Sequence, residues 1–128
     1  MNMRFPHRAP GPNQAVAILR DVPQLTGHGT FVSLSIRSVL RPMSENTLNA
    51  ALRRLGFTKD EMTSHGFRAR ASSMLNESGF WHPDAIERQL AHVEENSLRR
   101  AYARGEHWDE RVRMMVWWAD RLDGLRTA

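Results

Sequence analysis

The 128-residue sequence contains no cysteine, a single lysine and a single tyrosine. Without cysteine, the chain can form neither a disulfide bond nor a thiolate metal site. No stretch approaches the roughly 18 consecutive apolar residues of a membrane span, and the N-terminus lacks the apolar run of a signal peptide. These absences predict a cytoplasmic protein that does not enter the membrane.

The basic side chains that are present are almost all arginine. Lys59 is the exception among 18 basic residues, and the formal net charge is +4. The planar guanidinium of arginine matches two phosphate oxygens at once, so this composition favours a polyanionic partner. A solvated surface encoded by a genome that prefers arginine codons explains the same composition equally well.

Hydrophobic periodicity predicts one mainly α domain with a small β element near the N-terminus. Residues 1–12 hold three of the six prolines and are predicted to be extended. A short helix is expected over residues 13–22, ending before Pro23. The stretch FVSLSI, residues 31–36, alternates apolar and polar side chains as a short strand does.

The rest of the sequence is predicted to be helical, with boundaries set by capping residues. Ser44 is expected to begin one helix and Gly56 to end it; Thr63 or Ser64 begins the next, and Gly79 ends it. Further helices are expected from Pro83, over residues 96–104 and over about 107–125. The predicted core consists of Leu48, Leu52, Leu55, Phe67, Ile86, Leu90 and Leu122. The last helix is expected to bury Trp108, Val112, Met115, Ala119 and Leu122.

Four residues could support chemistry on a phosphodiester. His65 and Arg68 are one helical turn apart and should project from one face, where both can reach a single anion. Tyr102 offers a phenol that can attack phosphorus as a covalent nucleophile. Cationic donors such as Arg68 and His92 would stabilise the charge that develops on the phosphate oxygens, and a histidine can also transfer protons. Together, these four residues could support phosphoryl transfer on DNA without a metal or another cofactor.

Each of these residues also has a purely structural interpretation. Tyr102 follows Leu98 by four positions and could form an apolar pair on a helix. His65 could bond the preceding loop, His92 could cap a helix C-terminus, and Arg68 could be an ordinary surface side chain. No HxxxH or HExxH pair occurs among the six histidines, so no metal site is predicted.

The order HGFR, then QLAH, then a tyrosine ten residues later resembles the tyrosine recombinases of the phage integrase family. The stretches RPMSENTLNAALRRLGF, TSHGFRA, HPDAIERQLAH and ERVRMMVWWADRL resemble prophage integrases of the satellite-phage type, and the resemblance covers about residues 14–126. It implies that His65, Arg68 and His92 contact the scissile phosphate of DNA. It also implies that Tyr102 forms a 3′-phosphotyrosyl link and releases a 5′ hydroxyl.

The sequence departs from the family pattern at two catalytic positions. The family's site also needs an earlier arginine and a lysine in a β-hairpin. Residues 1–7 resemble the second strand of that hairpin, with Asn2 where the lysine usually stands, and Lys59 lies in the wrong place to substitute. The arm-binding and core-binding DNA domains of the family do not occur in these 128 residues. We therefore expect a partial catalytic domain, with a hairpin remnant at 1–12 and a helical core at 13–126.

Three hypotheses about function follow, and whether this chain is itself an enzyme is left open among them. It could be part of a tyrosine recombinase that retains the nucleophile and three phosphate ligands. It could be a non-catalytic remnant that binds DNA or an integrase partner. It could be a helical module that docks or self-associates through its last helix, with Met114, Trp117 and Trp118 as an exposed patch.

Overall fold

A computed structural model describes residues 7–26, 40–91 and 107–128 of the chain. These residues contain five helices: α1 (Asn13–Thr26), α2 (Glu45–Arg54), α3 (Ser64–Ser78), α4 (Pro83–Gln89) and α5 (Trp108–Thr127). They contain no β-strand, and the prediction of a mainly α protein is confirmed. The strands predicted at 1–7 and 31–36 and the helix predicted at 96–104 fall outside the described residues, apart from position 7. None of the five helices combines the length and the apolar character needed to cross a membrane.

The chain forms two compact units. One unit comprises Met1–Gln14 with Ala71–Ala128, and the other comprises Ala15–Arg70. The boundary within α3 falls between Arg70 and Ala71, so the first half of this helix belongs to the second unit. His65 and Arg68 therefore lie in the unit formed by residues 15–70.

The hydrophobic core of the unit containing residues 71–128 is built where α4 packs on α5. Leu75, Ile86 and Met114 are its fully buried members. Trp117 stands edge-on to the rings of Phe80 and Trp81, with ring centroids 5.8 and 6.1 Å away. The half-buried side chains that pack against the core are Trp81, Leu90, Trp117 and Trp118. The predicted core positions Ile86 and Leu90 are thus confirmed.

Of the five residues predicted to be buried on α5, Ala119 is buried and Met115 is half-buried, but the centre of the buried face lies elsewhere. Trp108, Val112 and Leu122 are 42%, 38% and 46% exposed, whereas Arg111 and Met114 are 2% and 0% exposed. At 100° per residue, the true buried face is rotated by about 80° from the predicted one. The cause is Arg111, which takes a core position because its guanidinium finds acceptors there, so a pattern of apolar residues alone misplaces the face.

The predicted exposed patch on α5 is consequently wrong. Met114 is fully buried, and Trp117 and Trp118 pack against the core cluster. Apolar side chains do lie exposed on this helix, but they are different ones: Trp108, Val112, Val116, Leu122 and Leu125.

Gly56 ends α2 as predicted, whereas Ser44 precedes the helix without the predicted side-chain cap. Gly56 has a φ of +98°, a left-handed conformation that suits glycine, and follows the last turn. Its N–H bonds to the carbonyl of Arg53, and the N–H of Phe57 bonds to that of Leu52, which is the Schellman arrangement. Ser44 is the N-cap residue, but its hydroxyl pairs with the hydroxyl of Thr47 at 3.0 Å instead of a backbone N–H.

Three of the four core predictions made for the unit of residues 15–70 are wrong. Leu48, Leu55 and Phe67 are 44%, 74% and 55% exposed, and Leu52 is half-buried. Periodicity identifies the apolar face of a helix but does not reveal whether another element covers that face. The prediction that α1 ends before Pro23 is also wrong, since the helix continues to Thr26. Proline's fixed φ is compatible with a helix, and Pro23 lies in the last turn, where the lost hydrogen bond and the crowding of the carbonyl four residues earlier disturb only the end of α1.

Candidate functional site

Two hydrogen bonds fix the point at which α3 begins. The hydroxyl of Thr63 accepts the N–H of Gly66 at 3.1 Å, which is the N-cap contact predicted for Thr63 or Ser64. The side-chain oxygen of Asn49, on α2, accepts the N–H of Ser64 at 2.9 Å. A guanidinium N–H of Arg53 also donates to the carbonyl of Met62, just before the helix. Together these bonds anchor the first turn of α3 to α2.

His65 and Arg68 both lie on this anchored helix. His65 is its second residue and is exposed, and Arg68 follows one turn later and is half-buried. The helix that their spacing requires is therefore present, and a separation of three residues places both side chains on one face. No acidic residue occurs in the first turn of α3, so the partial positive charge of the helix N-terminus is left uncancelled beside His65.

The net positive charge of the protein is confined to the unit that carries this helix. Residues 15–70 contain eight lysine and arginine side chains and four carboxylates. The remainder of the chain contains ten of each and has no net charge at neutral pH. Composition alone suggested a polyanion partner without indicating a location, and this division assigns the positive field to the unit containing His65 and Arg68.

A cavity of 440 Å³ lies beside the start of α3, but His65 and Arg68 do not line it. In a helix, Gly66 and Arg70 point roughly 150° away from the face that carries His65 and Arg68. The lining residues are Lys59, Asp60, Glu61, Met62, Thr63, Gly66 and Arg70. The cavity carries both signs of charge and is separate from the predicted phosphate site.

A second polar cluster, which no sequence motif predicts, lies in the other unit. His82 is the N-cap residue of α4, and His107 is the N-cap residue of α5. Their rings are stacked with centroids 5.1 Å apart. Potential ligand atoms of His82, Asp84 and His107 all lie within 4.8 Å of one another. A search for histidine pairs within one helix misses them because they lie far apart in the sequence.

Glu110 joins the two histidines of this cluster. One carboxylate oxygen accepts the backbone N–H of His82 at 2.7 Å, and the other lies 3.2 Å from Nδ1 of His107. The bond from the His82 N–H is the main reason that the pKa of Glu110 is lowered from its ordinary value, and the His107 imidazole acts in the same direction. Glu110 is consequently an ionised acceptor at neutral pH.

Comparison with known proteins places the chain in a family. The model of the phage integrase family matches residues 4–107. The IntB protein of Escherichia coli strain K12 is 47% identical over 123 residues, which are 94% of this chain and 31% of that protein. The integrase of Enterobacteria phage P4 is 46% identical over 125 residues, or 96% of this chain and 28% of that integrase. The chain belongs to the phage integrase family.

A third relative, the prophage integrase IntA of E. coli strain K12, is 44% identical over 120 residues, which are 94% of this chain and 29% of that integrase. The chain therefore spans 28–31% of the length of these phage integrase relatives. No solved structure matches the chain. The resemblance to tyrosine recombinases of this family that the motifs indicate is confirmed.

The region matched by the phage integrase model includes all four predicted site residues. The structure places two of them, His65 and Arg68, on one helix. His92 and Tyr102 lie outside the described residues, so the meeting of these two with His65 and Arg68 stays a prediction.

Proposed function

We propose that this chain binds DNA as part of a site-specific recombinase, through the face of α3 that carries His65 and Arg68. In this proposal both side chains, with His92, hold the scissile phosphate. The phenol oxygen of Tyr102 attacks phosphorus, a 3′-phosphotyrosyl bond forms, and the 5′ oxygen leaves and takes up a proton. Residues 13–126 constitute the helical part of the catalytic domain, and it acts in the cytoplasm of a bacterium, as expected of a prophage gene.

The main support for the proposal is the location of the positive charge in this member of the phage integrase family. The surplus of basic residues lies in the unit formed by residues 15–70, and within it His65 and Arg68 occupy one face of α3 near an N-terminus free of acidic residues. Such a site attracts phosphate oxygens, because the backbone dipoles at the helix N-terminus and the cationic side chains both stabilise negative charge. Phosphate contacts position a protein on DNA without reading its sequence, so binding should be weakly specific.

Two arginines on α3 provide a matched test. Arg68→Ala removes one cation from the proposed phosphate face, and Arg70→Ala removes the same charge from a different face of the same helix. Fluorescence anisotropy of a labelled duplex, measured over a range of salt concentrations, reports the number of phosphates neutralised. We expect Arg68→Ala to lower the magnitude of the salt slope by about 1 and Arg70→Ala to leave it nearly unchanged. Equal losses in both variants would reject the assigned face.

A second candidate function is self-association through α5. Trp108, Val112 and Leu122 lie on one side of this helix and are exposed, as a surface that pairs with a second copy of the chain requires. Val112→Arg combined with Leu122→Arg should convert a concentration-dependent dimer into a monomer in sedimentation analysis. A chain that is monomeric at all concentrations before the substitutions would exclude this function.

A further inference from the structure

Two histidines and an aspartate come together where α4 and α5 begin. The candidate ligand atoms of His82, Asp84 and His107 lie within 4.8 Å of one another, and the two imidazole centroids are 5.1 Å apart. We propose that His82, Asp84 and His107 bind a divalent transition-metal ion of the zinc type. The proposal concerns the unit that does not contain His65 and Arg68, and it does not depend on DNA binding.

The hydrogen bond between His107 and Glu110 leaves the other ring nitrogen of His107 able to bind a metal. Its Nδ1 lies 3.2 Å from a carboxylate oxygen of Glu110. An ionised carboxylate only accepts hydrogen bonds, so in the neutral ring Nδ1 carries the proton and Nε2 keeps its lone pair. A carboxylate that holds the far N–H of a histidine is the usual outer partner of a metal-ligating imidazole, which it orients and makes more basic. Glu110 supplies that partner here.

The second histidine also offers a lone pair. Nδ1 of His82 accepts the backbone N–H of Asp84 at 3.1 Å, so this nitrogen carries no proton. It lies 3.9 Å from Oδ2 of Asp84. Ligand atoms around a tetrahedral zinc ion are about 3.3 Å apart, so this pair must approach by less than about 1 Å. The remaining ligand atoms lie within 4.8 Å of one another, and the two stacked rings, whose planes differ by 21°, must rotate for both lone pairs to point at one ion. A metal at Nδ1 would take the lone pair that now accepts the Asp84 N–H.

The surface position of the cluster permits both this rotation and entry of an ion. The side chains of His82 and Asp84 are 54% and 42% exposed. His107 and Glu110 are 30% and 23% exposed and are the more firmly held pair. The N-termini of α4 and α5 oppose a cation, but Asp84 and Glu110 stand in their first turns and offset that field.

The donor set selects the class of ion. Two imidazoles and one carboxylate suit zinc, nickel and copper, whereas calcium and magnesium prefer oxygen donors throughout. Three protein ligands leave a fourth position of a tetrahedral zinc ion for water. Such an ion would tie the start of α4 to the start of α5, on either side of the segment that carries His92 and Tyr102. It would therefore stabilise the folded chain in proportion to its binding.

The test is a zinc titration of the metal-stripped 128-residue chain, read by competition with a chromophoric chelator and by thermal unfolding. We expect saturable binding of one ion per chain and a rise of several degrees in Tm. The matched pair is Asp84→Asn and Asp109→Asn, since each removes one carboxylate from the second position of a helix. Asp84→Asn should weaken zinc binding at least about tenfold, as expected when a ligand is lost, and Asp109→Asn should leave it unchanged.

Three further variants separate the roles within the cluster. His82→Asn keeps an N-cap acceptor for the Asp84 N–H, and His107→Asn keeps a residue that tolerates the left-handed backbone found there, φ 61°. Both should abolish the rise in Tm caused by zinc. Glu110→Gln can still accept the His82 N–H but no longer the His107 N–H, and should weaken binding by about 10–100-fold.

Several results would overturn the proposal. Equal zinc affinity of Asp84→Asn and Asp109→Asn would do so, as would the absence of saturable binding or tighter binding of magnesium than of zinc. Loss of zinc binding in His65→Asn, with binding retained in His82→Asn, would place the ion elsewhere. Circular dichroism of each metal-stripped variant shows whether it is folded. If a histidine variant fails to fold, the two aspartate variants decide the question alone.

Discussion

Arg111, on α5, donates a hydrogen bond from Nε to Oε1 of Gln89, the last residue of α4, across 3.0 Å. A second guanidinium N–H donates to the carbonyl of Arg8 at 2.6 Å. The side chain is 2% exposed, and its guanidinium lies 5.5 Å from the centre of the Trp108 ring. Burial, and then the positive charge of Arg88, lower the pKa of Arg111. One buried cation thus links α5 to α4 and to the N-terminal segment.

Arg111→Ala is expected to destabilise the chain by about 3 kcal/mol, mainly because it opens a cavity at a buried position and also because it leaves two part-buried acceptors without donors. Arg111→Met should cost less because it refills most of the volume. Arg113→Ala removes the same charge from an exposed position of α5 and should change the free energy of unfolding by at most about 0.5 kcal/mol. Urea denaturation measures all three. Equal effects of Arg111→Ala and Arg113→Ala would contradict the structural role assigned to Arg111.

Glycine-to-alanine substitutions at two positions should have opposite signs. Gly56 has a φ of +98° after α2, and an added Cβ would meet no atom within 4 Å, so Gly56→Ala is expected to cost about 1–2 kcal/mol through backbone strain alone. Gly124 lies within α5, also in open space, and Gly124→Ala should stabilise the chain by about 0.5–1 kcal/mol. Thermal unfolding of both variants tests the pair. Destabilisation by Gly124→Ala would show that α5 is not helical at that point.

Acid should remove the contribution of Glu61 to stability. Its carboxylate accepts the backbone N–H of Thr58 at 2.7 Å, and this bond is the main cause that holds the pKa of Glu61 below the ordinary 4.5. A lowered pKa in the folded state adds stability above the unfolded value, and this stability is lost as pH falls through the folded value. The difference in unfolding free energy between wild type and Glu61→Gln should therefore be constant above about pH 5.5 and shrink below pH 4.5. Glu77→Gln removes the same charge from an exposed position of α3 and serves as the control for the change in net charge. A stability difference between wild type and Glu61→Gln that grows as the pH falls would contradict the prediction.

The 128-residue polypeptide alone should form no covalent adduct with DNA. The family pattern includes two further phosphate donors, an arginine and a lysine, that these 128 residues do not supply, and Asn2 stands where the resemblance puts the lysine. Removal of one such donor typically lowers a rate by about 10²–10³. A nicked DNA substrate that loses a short strand after cleavage traps any phosphotyrosyl product on a denaturing gel. An adduct from this polypeptide would contradict the prediction. If that adduct persisted in Tyr102→Phe, Tyr102 could not be the nucleophile.

Helix boundaries could be predicted from the sequence where one residue determines the local backbone. Thr63 supplies the cap oxygen of α3, Gly56 and Gly79 adopt positive φ after α2 and α3, and Pro83 opens α4. These effects act within one turn, so a single sequence contains all the information they need. The common face of His65 and Arg68 was predictable for the same reason, since it follows from helical spacing.

Burial and long-range clusters could not be predicted in the same way. Arg111 is buried because acceptors from α4 and the N-terminal segment converge on it, and such convergence leaves no mark on the periodicity of α5. His82 and His107 likewise meet only after α4 and α5 have packed. The exposed Leu55 and Phe67 show the converse case, in which an apolar stripe is present but remains uncovered.

The uneven distribution of charge between the two units also has a kinetic consequence. A polyanion at a distance senses mainly net charge, so it attracts residues 15–70 and exerts almost no force on the rest of the chain. Encounters with DNA should therefore begin at the unit that carries α3, before any short-range contact exists. The association rate should fall as ionic strength rises, because mobile ions screen this attraction over about 10 Å at 0.1 M salt. A charge-reversing change such as Arg54→Glu should slow association more than Arg121→Glu, an equal change in the unit without net charge.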